Sequence, residues 1–273
     1  NQIFSFRKKI FHQRIAQDNI EKNTNIMTTI YINNDFDPKK QKIIGNPKVS
    51  IIILTNYKRP DLLHNCLKSI ANSSYENFEI IILENCSQIF PIEKIKTFIS
   101  ESIPFKHVFL KDRFNYSKFI NTAAKKADGE YLLFLNDDTE VIANDWLEAM
   151  LVCAQKKEVG VVGAKLLYPN GTIQHAGIFL KNNEVGSEHF GRFYPGNSDS
   201  FDGIMKKVHT CDAVTFACAM VKKDVFERFG GLNEDLKILC NDVDFCLRIS
   251  KTGYRIIFTP FALLCHLEAM SRQ

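Results

Sequence analysis

Three short apolar runs limit what this chain can fold into. Val49–Leu54 is apolar and rich in β-branched residues apart from Ser50, Phe78–Leu83 is apolar apart from Glu79, and Tyr131–Leu135 is apolar throughout. None alternates polar with apolar residues, so each is expected to be a strand buried on both faces. Helical spacing lies between them. Pro60–Ile70 puts Leu62, Leu63, Cys66, Leu67 and Ile70 on one face, and further helices are expected at Ile92–Ile99, Ser117–Lys126 and Trp146–Gln155, with a strand at His107–Leu110. This alternation implies an α/β fold, with a mostly parallel central sheet and helices on both faces.

The pattern loosens after Val159. Strands are expected at Val159–Leu167, Thr172–Leu180, Ala213–Lys222 and Tyr254–Thr259, and a helix at Asp242–Lys251. The stretch from Lys181 to Lys207 is rich in Gly, Asn and His and reads as a long loop, of the kind that covers a binding site.

The run Tyr131–Leu135 stops on Asn136, Asp137 and Asp138. In an open α/β sheet ligands bind beyond the carboxyl ends of the strands, where these three residues would lie. Crowded carboxylates repel one another unless a cation joins them, and hard oxygen ligands suit Mg2+ or Mn2+. Taken alone, the same three residues also fit an ordinary strand-ending turn.

With 273 residues the chain can bury a substantial core. Its charge is uneven. Residues 1–49 carry nine lysines and arginines against four acids, whereas the remainder is close to neutral, which argues against nucleic acid as a partner. Residues 1–47 are expected to form a basic extension or linker. Ile3, Phe4, Phe6, Ile10, Phe11 and Ile15, interleaved with basic residues, suit an amphipathic helix that meets a neighbouring domain or a membrane surface. The eight cysteines include no Cys-x-x-Cys pair, which points to reduced thiols in a cytoplasmic protein. No apolar run approaches the roughly 18 residues that cross a membrane. The chain opens on Asn1, as a fragment of a longer protein would.

Five ordered blocks carry a family resemblance. Val49 to Leu63, Glu79 to Ser87 and Gly129 to Val141 resemble the family 2 glycosyltransferases, which have the GT-A nucleotide-sugar fold. Gly163 to Gly177 resembles the bacterial surface-polysaccharide branch with its rhamnosyltransferase-like proteins. Asn241 to Arg248, followed by His266 to Glu268, completes the set. The resemblance covers about residues 48–272 and implies a GT-A catalytic domain over 48–273. Its implied activity is metal-dependent, inverting transfer of a hexosyl or deoxyhexosyl group in O-antigen or capsule synthesis. The donor would be a UDP-, dTDP- or GDP-linked sugar and the acceptor a glycan or lipid-linked glycan. The location would be cytoplasmic, at the inner face of the membrane.

The resemblance also implies roles for particular residues. Thr55, Asn56 and Tyr57 end the first strand, where polar contacts and a stacking ring would meet the base. Glu84 stands where the family commonly has a base-contacting Asp. Arg59 offers a donor fork to phosphate or stands as a solvated charge at a helix start, and Lys118 approaches the diphosphate or lies on the surface. Asp138 is the expected metal ligand, with Asn136 beside it, Asp137 nearer the ribose, and His266 as the additional ligand to Mn2+ or Mg2+. Asp242 matches the catalytic base, with Asn241 in place of the usual first acid and helix capping as the alternative for both. Thr215 and Phe216 occupy a segment that lines the donor sugar, with Phe216 replacing a glycine.

Two other classes are weighed against this reading. A sugar-phosphate nucleotidyltransferase needs a glycine-rich loop after the first strand, and Leu54–Pro60 contains no glycine. A non-catalytic scaffold or carbohydrate-binding copy is expected to lose at least one of Asp138, Asp242 and His266, and all three are present.

Overall fold

The computed structural model of the protein describes residues 36–85, 95, 97–99, 103–180 and 187–268. The amphipathic helix expected near the start and half of that expected at Ile92–Ile99 lie outside them. Among the described residues, β1 (Val49–Thr55), β2 (Phe78–Glu84), β3 (Phe105–Phe109) and β4 (Tyr131–Asn136) alternate with α1 (Pro60–Ile70) and α2 (Tyr116–Ala124). The short strand β5 (Thr139–Val141), helix α3 (Trp146–Ala154) and strand β6 (Val159–Leu167) follow. Then come β7 (Ile173–His175), β8 (Ile178–Leu180), β9 (Ser187–His189), β10 (His209–Cys211), β11 (Cys218–Lys222), α4 (Lys223–Arg228), α5 (Asn241–Ser250) and β12 (Arg255–His266).

The sheet runs β10-β12-β6-β11-β4-β1-β2-β3. Strands β1, β2, β3, β4, β6 and β12 point one way, while β11 and β10 run against them. Both faces are covered, as the unbroken apolar strands require. Ile51 and Ile53 turn to one face, with Leu63, Leu67, Trp146 and Met150 from α1 and α3. Ile52 turns to the other, with Phe119, Phe226 and Phe245 from α2, α4 and α5.

Register then decides which side chains meet. Thr55 pairs with Glu84, and Leu54 with Asn136, so β1, β2 and β4 end level with one another. Strand β12 is twice the expected length. Its pairing with β6 slips between Thr259 and Leu263, and its second half pairs with β5, which sets His266 opposite Thr139. One strand thereby runs from the main sheet to the acidic cluster.

Three expected elements take a different form. Thr172–Leu180 is two strands because Gly177 has φ +95°, with Cys211 so near that a side chain would crowd it. Only Cys218–Lys222 of the expected Ala213–Lys222 is strand. The stretch after residue 186 is folded and not a bare loop. It contains β9 and a 3-10 turn at Ile204–Lys206, and Phe201, Ile204 and Met205 form a small core with Ile173 and Phe258.

The buried Lys165 pins this segment. Its Nζ donates to the carbonyls of Gly196 (2.7 Å) and Met205 (3.1 Å), and burial, then the charge of Lys206, brings its pKa down to about 8. Lys165→Met would leave both carbonyls without their donor. We expect limited proteolysis within residues 196–207 to speed up about tenfold, the equivalent of ~1.4 kcal/mol of local opening. Cleavage at the wild-type rate would mean that the aromatic cluster holds the segment without the lysine.

Candidate active site

The level strand ends bring the polar cluster of β4 against β12. His266 is buried, and its Nε2 lies 3.1 Å from Asp138 Oδ1 and 3.2 Å from Asn136 Nδ2. Its Nδ1 lies 2.6 Å from Gln174 Oε1. The backbone joins the same corner, since Leu267 N–H donates to the Asp138 carbonyl. Asp137 is buried beside them. Burial first, and then the Asp138 charge, raises its pKa to about 6, against the pull of a Thr55 hydrogen bond and of His266.

This corner fits a divalent cation. An imidazole whose Nδ1 carries the proton presents the Nε2 lone pair to the carboxylate of Asp138. Two electron pairs at that separation need a proton or a cation between them. Among the described residues no third His, Cys, Asp or Glu side chain completes a metal-holding group with them. Asp138 and His266 would therefore hold the ion, with remaining ligands from a diphosphate and water.

The next corner lies at the ends of β1 and β2. Thr55 Oγ1 accepts from Tyr57 N–H and Asn56 Oδ1 from Lys58 N–H, folding the chain so that Tyr57 takes φ +57°. Tyr57 is close enough to Glu84 that burial, then this negative charge, raises its phenol to about 12. Glu84 is wholly buried, and its Oε2 lies 2.7 Å from His107 Nε2 on β3. The two basic candidates are committed elsewhere: Arg59 makes a paired contact with Asp61, and Lys118 pairs with Asp112.

The third corner is the start of α5. Asp242 accepts from Val243 N–H (2.8 Å) and Phe216 N–H (3.3 Å). Burial raises its pKa, and these donors together with His189 oppose the shift. Tyr116 and His189 both lie within electrostatic range of Asp242. Asn241 is buried, accepts from Asp242 N–H and reaches toward the Leu236 carbonyl, so it shapes the helix start. Thr215 accepts from Ala217 N–H in the same turn. Asp244 pairs with Arg248, whose guanidinium also donates to the carbonyls of Phe229 and Gly231.

Phe216 departs from its expected place. Its ring is buried, stacked on Phe134 at 5.0 Å and edge-on to Phe245, so it fills the core and only its backbone N–H turns to Asp242. Several site neighbours had no signal of their own in the sequence. His107 and Tyr116 sit in ordinary strand and helix patterns, and His189 in what reads as loop. Gln174 lies within a block that resembles the family, but spacing gave it no role.

The Glu84–His107 contact can be measured. We expect His107→Leu to cost roughly 2–4 kcal/mol in urea denaturation, because it removes the imidazole partner of a buried carboxylate, and Glu84→Gln in that background to restore most of it. A loss below ~1 kcal/mol would mean that the carboxylate is held without the imidazole.

Comparison with known proteins gives the family. Residues 51–230 match Glycosyl transferase family 2. The chain is 39% identical over 233 residues to an uncharacterized protein, y4gI, of Sinorhizobium fredii, and 37% identical over 234 residues to the O-antigen biosynthesis protein RfbC of Myxococcus xanthus. Each match covers 84% of this chain but only 25% and 18% of those longer proteins. A mannosyltransferase, PcManGT of Pyrobaculum calidifontis, solved with GDP-Man and Mn2+, shares the fold at TM-score 0.63 and 17% identity, over 97% of this chain and 64% of that one. The chain belongs to glycosyl transferase family 2 and has the GT-A fold.

Proposed function

We propose that residues 48–273 form a metal-dependent, inverting transferase domain. It moves a hexosyl or deoxyhexosyl group from a nucleotide-diphosphate donor to a glycan or lipid-linked glycan, in bacterial surface-polysaccharide synthesis at the cytoplasmic face of the membrane. Residues 1–47 are its extension, toward a neighbouring domain or that membrane. The observation that carries the reading is the approach of Asp138 to His266 Nε2 at 3.1 Å. The O-antigen role of a relative 37% identical to this chain supports the polysaccharide assignment.

The residues divide the work. Thr55, Tyr57 and Glu84 face the nucleoside, Asn136 and Asp137 the ribose and diphosphate, and Asp138 with His266 holds a Mn2+ or Mg2+ ion. When bound, the ion neutralises charge on the departing diphosphate. Asp242 takes the proton of the acceptor hydroxyl as its oxygen attacks the anomeric carbon from the face opposite the leaving group. One carboxylate is enough for a single displacement. The backbone N–H groups of Phe216 and Val243 keep that carboxylate aimed.

Asp138→Ala is expected to abolish Mn2+-dependent binding of nucleoside diphosphate while the melting temperature holds; unchanged metal dependence in calorimetry would remove the assignment. Asp242→Asn should lower kcat by roughly 10²–10⁴ with little change in donor Kd. Because burial raises the Asp242 pKa, the wild-type kcat should fall on an acid limb centred above ~4, the ordinary aspartate value, as the base becomes protonated. An α-linked product from an α-linked donor, read from the anomeric coupling in NMR, would overturn inversion.

A further inference from the structure

The block Gly163–Gly177 has no part in the proposed transfer, although one of its side chains contacts His266. Its Gln174 is buried in β7 at an irregularity. Leu166 of β6 pairs with His175 and Leu167 pairs with Ile173, so Gln174 is the extra residue of a bulge. Bulges re-aim a side chain that regular pleating would send elsewhere. Here the amide points at His266, 92 residues further along the chain.

The orientation of that amide follows from its partners. Its Nε2 is directed at two acceptors, the His266 carbonyl and Glu268 Oε2, each at 3.4 Å. A flipped amide would set its own oxygen against both. Oε1 is therefore the atom that faces His266 Nδ1, at 2.6 Å, and Nδ1 must carry the hydrogen. Glu268 is held in turn. Arg192 donates to both its oxygens (3.3 and 3.2 Å) and to the Tyr168 hydroxyl (2.6 Å), while its guanidinium lies over the Phe193 ring at 5.0 Å.

We propose that Gln174 is a positioning residue for His266: held by the Arg192–Glu268 clamp, it fixes the Nδ1–H tautomer and so presents the Nε2 lone pair toward Asp138. The proposal rests on the metal reading of the Asp138–His266 corner. It gives the folded segment after residue 186 a part in the site, because Arg192 belongs to it. A hydrogen bond to the far nitrogen of a ligating imidazole fixes its ring and raises its basicity, and losing such a partner typically weakens metal binding 10–100-fold.

The test uses the metal alone and a spectroscopic signature. In side-chain 15N spectra of metal-free protein, wild-type His266 should show a hydrogen on Nδ1, held by Gln174 Oε1. Gln174→Leu, close in volume, should shift the ring toward the Nε2–H form and weaken Mn2+ binding, followed by electron paramagnetic resonance, by about 10–100-fold. Gln174→Glu combined with Glu268→Gln keeps an acceptor at His266 and a donor on the neighbouring side chain, so both readouts should return toward wild type. Wild-type tautomer and Mn2+ affinity in Gln174→Leu would overturn the proposal, as would a folded double variant as impaired as Gln174→Leu. His266→Ala separates the two levels. If it leaves Mn2+ affinity unchanged, the metal reading falls and this inference with it; if it weakens Mn2+ while Gln174→Leu does not, only this inference falls.

Discussion

The contact between Asp138 and His266 is the constraint around which the rest of the site is arranged. Both side chains are nearly sealed from solvent, and the histidine is tied on its other edge to Gln174. Left without a bridging charge, a buried carboxylate facing an imidazole lone pair would push the strands apart. The fold resists this with the backbone. Strand β12 is zipped to β6 along one edge and to β5 near its end, and Leu267 N–H closes on the Asp138 carbonyl. The sheet thus fixes the separation of the two side chains through backbone pairing. Preorganisation of this kind lowers the reorganisation needed when a ligand arrives.

The acidic side chains of the cleft are held in three different ways. Glu84 is wholly buried against His107, Asp137 is raised by burial and by Asp138, and Asp242 is raised by burial but steadied by two backbone donors. Their surroundings, and not their side-chain type, distinguish the three carboxylates. The same logic explains the bulk of Phe216. With its ring stacked on Phe134, its N–H is left pointing at Asp242, so a large residue can serve there without filling the cleft.

Much of this was legible in the chain, and the reasons are local. Val49–Leu54, Phe78–Leu83 and Tyr131–Leu135 carry no polar alternation and had to be interior strands, and the spacing in Pro60–Ile70 matches α1 at both ends. Asn136–Asp138 stood out because three polar side chains end an otherwise apolar strand, a pattern that suits a ligand site and also an ordinary strand-ending turn. What the sequence hid depends on register and on contacts made late in the chain. The slip at Thr259–Leu263 that lengthens β12, the bulge at Gln174 and the turn of Phe216 into the core are set by neighbours far away in sequence. No periodicity encodes them.

The separation of Asp138 and His266 in sequence bears on how the domain comes to exist. Asp138 and His266 are 128 positions apart, and the strand that delivers the histidine closes the sheet last in chain order. Closing so long a loop is slow relative to forming the β1–α1–β2 unit, where contacts are local. A chain emerging from synthesis can pair Thr55 with Glu84 well before Asp138 meets His266. For that interval the corner between β4 and β12 does not exist. Its assembly is thereby tied to completion of the sheet.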